Sequence, residues 1–174
     1  MRLSINVSTT GERVQQVDQA AVAIQPGTLM QKAIPPRLVE PYLTGRRAVI
    51  AGFVYRVQDS SFAGPAEYYD ALDLGYEGSD FGPGLTELYV LRWNAVGPES
   101  YRVPYSPEMG GDWSGKPPFT GTGYTSSRSH VVAEFYLDPV PIPVGAEIYR
   151  ISVAATDFIA RFDGQAWLRP VGAG

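Results

Sequence analysis

The clearest alternation of apolar and polar positions lies in residues 145–170. Between 147 and 153, Ile148, Arg150 and Ser152 fall on one side of an extended chain, and Glu147, Tyr149, Ile151 and Val153 on the other. Phe158, Ala160 and Phe162 then alternate against Ile159 and Arg161, and Asp163-Gly164 separates this run from a returning one that carries Trp167. Asp-Gly between alternating runs predicts a hairpin closed by a two-residue type I′ turn, because these residues tolerate positive φ best. A β-meander is expected to close the chain.

Upstream, residues 47–58 (RAVIAGFVYRVQ) read as a central strand with a bulge at Gly52. Residues 87–93 read as a strand that sets Leu88 and Val90 opposite Tyr89, Leu91 and Trp93. Residues 124–137 fit a strand, a helix, or one after the other. The stretch 60–84 is a long acidic and aromatic loop with a helical turn around 66–74. Residues 1–8 alternate weakly. In 12–25, Val14, Val17, Ala21 and Ile24 follow a helical spacing until Pro26-Gly27 stops it. Pro26, Pro35, Pro36 and Pro41 push the chain between them toward extended conformations, which predicts an arm. The expected organisation is a helix and Pro-rich arm over 1–45, followed by a β-domain over 46–174. The expected fold class is mainly β: an antiparallel β-sandwich or jelly-roll-like domain with a short N-terminal helix and extended arm.

Composition sharpens this picture. A chain of 174 residues is long enough for one well-buried domain. Its 19 Gly, 15 Pro and 21 aromatic residues (11 Tyr, 7 Phe, 3 Trp) suit many short strands joined by turns. The net charge is −4, and the basic residues are scattered apart from Arg46-Arg47, which argues against nucleic acid as a partner. There is no Cys to build a disulfide framework or a thiolate metal site. No apolar run approaches the roughly 20 residues of a membrane span, and the N-terminus lacks the apolar core of a signal peptide. Membrane insertion and export by a cleaved signal are therefore not expected.

Four groups of residues could carry chemistry, each with a plainer reading beside it. Asp70, Asp73, Glu77 and Asp80 could offer oxygens to calcium, but their spacing matches no EF-hand, and a solvated acidic loop explains them. His130, the only histidine, could work with Ser126 or Ser127 and an acid. There is no G-x-S-x-G elbow, so a polar residue on an element edge is the simpler reading. Tyr101, Tyr105, Trp113, Phe119 and Tyr124 lie in loop-like sequence, and flat aromatic faces can stack on sugars or anchor a protein interface. Tyr105, Trp113 and Tyr124 are the candidate binding residues; otherwise they plug the ends of a sandwich. Val14, Val17, Ala21 and Ile24 are the candidate assembly contact, or the inner face of a helix lying on its own β-domain. No self-sufficient catalytic or metal motif is present, so no catalytic residue, metal or cofactor is assigned.

Two resemblances extend this. The closing pattern GAEIYRISV…ARFDGQAWLRP resembles strand–turn–strand segments of bacteriophage tail and head accessory proteins and of related gene-transfer particles. The Pro-rich arm, the low charge and the scarcity of Lys and His fit the same group. This resemblance implies a non-enzymatic structural subunit of a symmetric assembly, in a virion or extracellular particle. Other subunits would be its partners in a homo-oligomer, and one surface could face a receptor or glycan. Separately, Val54-Tyr55-Arg56 followed by Gly123-Tyr124-Thr125-Ser126-Ser127 resembles the arginine and Ser-Thr-Ser order of ADP-ribosyltransferase toxins. That would imply an ADP-ribosyltransferase or NAD glycohydrolase, with Arg56 on the NAD phosphates and Ser126 shaping the nicotinamide pocket. The tripeptide here is Thr-Ser-Ser, and no Glu follows Glu147 to stand for the family's catalytic residue.

Overall fold

The computed structural model describes residues 24–114, 120–125, 127 and 129–172. Among these, eight strands form one curled sheet. They are β1 (Leu29–Ile34), β2 (Val49–Arg56), β3 (Glu87–Asn94), β4 (Tyr101–Arg102), β5 (Phe135–Pro141), β6 (Glu147–Ser152), β7 (Thr156–Phe162) and β8 (Trp167–Leu168). Their order is β4-β5-β2-β1-β3-β6-β7-β8, and every pairing is antiparallel. The helices are short: α1 (Val39–Leu43) and α2 (Pro65–Ala71). The mainly β, antiparallel class read from the alternation is therefore the class observed. Both edges of the sheet are two-residue strands, β4 and β8.

The sheet is buried on both faces. On one, Met30, Ile34, Ile50, Val54, Leu91, Trp93, Phe135, Leu137 and Ile148 form the larger core. On the other, Tyr55, Leu88, Val90 and Ile151 pack with Tyr68, Ala71, Leu72 and Leu74 from α2 and the turn after it. The strand β3 shows why: Leu88 and Val90 feed one cluster, and Leu91 and Trp93 the other, as the alternation predicts. Gly52, at φ +91°, marks a register shift against β5, so the expected bulge is present. The open alternative at 124–137 resolves to an isolated bridge, Tyr124 to Ala133, followed by β5. Pro139 and Pro141 sit in the part of β5 beyond its pairing with β4, where a missing N–H costs no ladder bond on that side.

Three expectations are corrected. Residues 25–41 are not an arm outside the compact domain, because β1 lies at the middle of the sheet between β2 and β3. Its six-residue register with β3, Leu29 to Ile34 against Asn94 to Tyr89, shows that the prolines frame the strand instead of preventing it. Ile24, expected on an assembly stripe, is 2% exposed and belongs to the larger core. Val14, Val17 and Ala21, with the rest of the expected N-terminal helix, lie outside the described residues.

The third correction is the closing turn. The hairpin exists, with Arg161 opposite Leu168 and Phe162 opposite Trp167, but its loop is four residues long. Only Gly164 takes positive φ, at +106°, and Asp163 instead uses its carboxylate to accept from the N–H groups of Gln165 and Ala166, both at 2.8 Å. An aspartate that caps its own turn relieves the second position of any need for a left-handed conformation. A β-carbon at Gly164 would sit 3.1 Å from Val144 Cγ2. Gly164→Val therefore combines backbone strain with a close contact and should lower stability by about 1 kcal/mol or more in a denaturation curve. An unchanged curve would show that the loop tolerates either conformation.

Candidate functional site

β1 and β2 pair at only two positions, Met30 with Arg56 and Gln31 with Tyr55. Beyond them β1 continues along β3, while β2 continues along β5. The two strands thus diverge, and a cleft of about 590 Å³ opens between them. Gln31 holds the junction. Its amide donates to Ser60 O at 2.5 Å and Ser60 Oγ at 2.7 Å, and its carbonyl accepts from Arg92 Nε at 3.1 Å. Ser60 Oγ donates in turn to Arg56 O at 2.7 Å. Gln31 and Ser60 are fully buried, so leaving either unsatisfied would cost about 1–3 kcal/mol.

Lys32 follows the junction directly. Its ammonium lies by Gly52 and donates to Phe53 O at 3.3 Å, a carbonyl at the point where the strands part. The bulge matters here, because a β-carbon at position 52 would meet Lys32 Nζ at 3.4 Å. The cleft walls are largely aromatic: Phe53, Tyr55, Tyr76, Phe81, Trp113 and Tyr136. Phe53 meets Trp113 edge-on at 5.3 Å and Tyr136 at 5.4 Å, while Trp113 and Tyr136 lie tilted at 4.9 Å. The Trp113 backbone N–H donates to Tyr105 O at 2.8 Å, which seats this aromatic corner on the loop. The indole Nε1 is buried with no hydrogen-bond acceptor among the described residues.

Leu72, Asp73, Leu74 and Glu77 supply the remaining wall. They arrive through the turn that ends α2. Leu74 N–H reaches Tyr69 O and Asp73 N–H reaches Asp70 O, with Asp73 at φ +49°, the left-handed position that helix ends usually give to glycine.

One titrating group, Lys32, lines the cleft, and a second, Glu134, contacts the lining residue Tyr55. Burial, and then the positive Arg47, lower the Lys32 ammonium to about 8. Glu134 is 2% exposed, and burial raises its carboxyl to about 8, offset in part by the Tyr55 hydroxyl that donates to it at 3.4 Å. Burial and the adjoining Glu134 push the Tyr55 hydroxyl well up.

A second polar cluster lies at the start of α2. Glu67 accepts from Ala63 N–H at 2.8 Å and lies 3.2 Å from His130 Nε2. Ser129 Oγ is 2.8 Å from His130 Nδ1 and also donates to Asp70. These bonds, Ser129's first, hold the Asp70 carboxyl below the usual range. The serine beside the histidine is therefore Ser129. Ser127 reaches Asp70 at 3.3 Å and the His130 backbone N–H at 3.2 Å, and Ser126 lies outside the described residues. Ser129 is engaged by a carboxylate as well as the ring, and Phe62 packs edge-on against the imidazole at 5.1 Å, so the cluster ties the 127–130 loop to α2.

Of the three aromatic residues expected to bind, the structure brings only Trp113 to a cleft. Tyr124 is 7% exposed in the larger core, and Tyr105 packs against that core. Phe119 lies outside the described residues. The acidic loop disperses: Asp70 joins His130, Asp73 and Glu77 line the cleft, and Asp80 pairs with Arg37 at 2.5 Å. Among the described residues no group of three acids or histidines could hold a metal ion. Arg56 is held by Asp59 at 2.6 Å and lines neither this cleft nor the groove described below. Lys32, Tyr55 and Glu134 were missed in sequence.

A second concavity of about 860 Å³ lies between the end of β3 and β5. Trp93, Tyr101, Leu137, Val140 and Ile142 form its floor, and Pro26, Val96 and Val144 its rim. Val96 and Val144 are 70% and 74% exposed. No family model, curated protein or solved structure matches the chain.

The pH dependence of folding follows from the two buried groups. Between about 4.5 and about 8 the folded chain keeps a proton on Glu134 that the unfolded chain has lost, so this contribution to stability falls as pH rises. Between about 8 and 10.5 the folded chain has released a proton from Lys32 that the unfolded chain still holds, so stability rises again. Denaturant midpoints measured across this range should show a minimum near pH 8. Glu134→Gln should flatten the falling limb and Lys32→Met the rising one. A monotonic profile unaffected by either change would contradict these assignments.

Proposed function

We propose that this chain is a non-enzymatic structural subunit of a larger symmetric assembly, of the kind found in phage and phage-like particles. The observation that carries this reading is the apolar groove between β3 and β5. Its rim exposes Val96 and Val144, and its floor holds the indole of Trp93, whose N–H donates to Tyr101 OH at 2.8 Å. Apolar concavities bordered by exposed valines are costly in water and mark contact surfaces. The occupant we assign is residues 1–23 of a neighbouring copy. Pro26, close to residues 1–23 in sequence, forms part of the rim, and Val14, Val17 and Ala21 offer an apolar stripe in that segment. Burying such side chains contributes a few kcal/mol per subunit by the usual area coefficient, before ordering entropy is subtracted.

The test is sedimentation of the full chain at micromolar concentration, beside Val96→Asp/Val144→Asp. Both positions are exposed, so folding should survive, as circular dichroism would verify. The intact chain should sediment as an oligomer and the double variant as a monomer. A monomeric intact chain, or a double variant that still assembles, would overturn the reading.

A further inference from the structure

We propose that the cleft between β1 and β2 is a carbohydrate-binding site that takes a pyranose carrying a carboxylate, with Lys32 as the residue that recognises the acid. It shares no lining residue with the groove assigned to assembly, so it stands or falls separately.

The cleft volume, about 590 Å³, lies within the range of small-molecule sites. Three kinds of surface meet there. Phe53, Trp113 and Tyr136 form an aromatic corner against which the C–H face of a sugar ring can stack. The Lys32 ammonium, with three donors, makes one hydrogen bond to Phe53 O and has no carboxylate within ion-pair distance among the described residues. The charge it does feel is the positive Arg47. An anion placed beside Lys32 would therefore relieve a cation that has been taken partly out of water without a counter-ion. On another wall, Asp73 and Glu77 bring carboxylates that accept hydrogen bonds. A ligand that satisfies all three surfaces has an apolar ring face, an anionic acceptor and hydroxyl donors, which describes an acidic sugar. An aromatic carboxylate would satisfy the first two and leave the acids unused. A neutral sugar would leave the ammonium unpaired.

The junction makes the site rigid. Gln31, adjacent to Lys32, is fixed by Ser60 and Arg92, and Lys32 itself lies on β1, so the ammonium is carried by the sheet and not by a mobile loop.

The probes are the methyl glycosides of glucuronic acid and N-acetylneuraminic acid, with methyl glucoside as the neutral control. Binding is read on the full chain by ligand-observed NMR and by chemical-shift changes of backbone amides. An acidic sugar should bind at least about tenfold more tightly than the neutral one, the size expected of one charge-assisted hydrogen bond. Shifts should centre on Lys32, Gly52 and Leu74. Lys32→Met should abolish the preference, and Trp113→Ala should weaken both acidic and neutral sugars. Shift mapping on the unaltered chain keeps the test decisive if either variant fails to fold. Equal binding of acidic and neutral sugars would overturn the role of Lys32. No binding of any probe, or shifts centred away from the cleft, would overturn the site.

Discussion

The buried clasp between Gln31 and Ser60 is the contact on which the rest of this structure depends. It fixes β2 to β1 at the last point where they pair, and it leaves each strand to follow a different neighbour. Neither polar side chain has access to water, so the geometry that satisfies them is strongly preferred over any that separates them. Arg92 extends the clasp into β3 and reaches toward Tyr68 of α2 at 3.5 Å. One small network thereby holds the central strands, the turn after β2 and the helix in a common register. The positive φ of Gly52 then lets β2 bend away toward β5.

From that divergence follows the cleft and its chemistry. A continuous ladder would have covered the Phe53 carbonyl with a strand partner; here Lys32 covers it, and its charge stays near the opening. The sheet itself separates the two cores. The larger one takes Val39 and Tyr42 from α1 beside its strands, while the smaller one needs Leu72 and Leu74, delivered by the left-handed Asp73 at the end of α2. Glu134 accepts from Tyr55 on this second side, and burial raises its carboxyl to about 8. Apolar side chains thus supply the cohesion, and a few buried polar groups select which strands may pair.

Much of the sheet was legible in the sequence. β2, β3, β6 and β7 coincide closely with the alternating runs, and Gly52 announced its own bulge. β1 was not legible. LMQKAI is short, framed by prolines, and places Gln and Lys at its centre, so neither apolar periodicity nor β-branching marks it. Those two polar residues are the ones that define the junction and the cleft, and their role depends on partners 21 and 29 residues away. The closing hairpin was legible as a hairpin but not as a turn type, because the carboxylate of Asp163 capped a longer loop than Asp-Gly implies. Of the aromatic loop residues, Trp113 reached the cleft while Tyr124 was drawn into the core, a distinction set by the bridge to Ala133 that no local pattern encodes.

β1 and β2 part immediately after Gln31 and Tyr55. Cross-strand nuclear Overhauser effects test it most directly. Contacts between the backbones of Gln31 and Tyr55 should be strong, as for Met30 and Arg56, and contacts between Ala33 and Phe53 should be absent. Strong Ala33–Phe53 contacts would mean that the ladder continues, that the cleft is closed, and that Lys32 has no opening to serve.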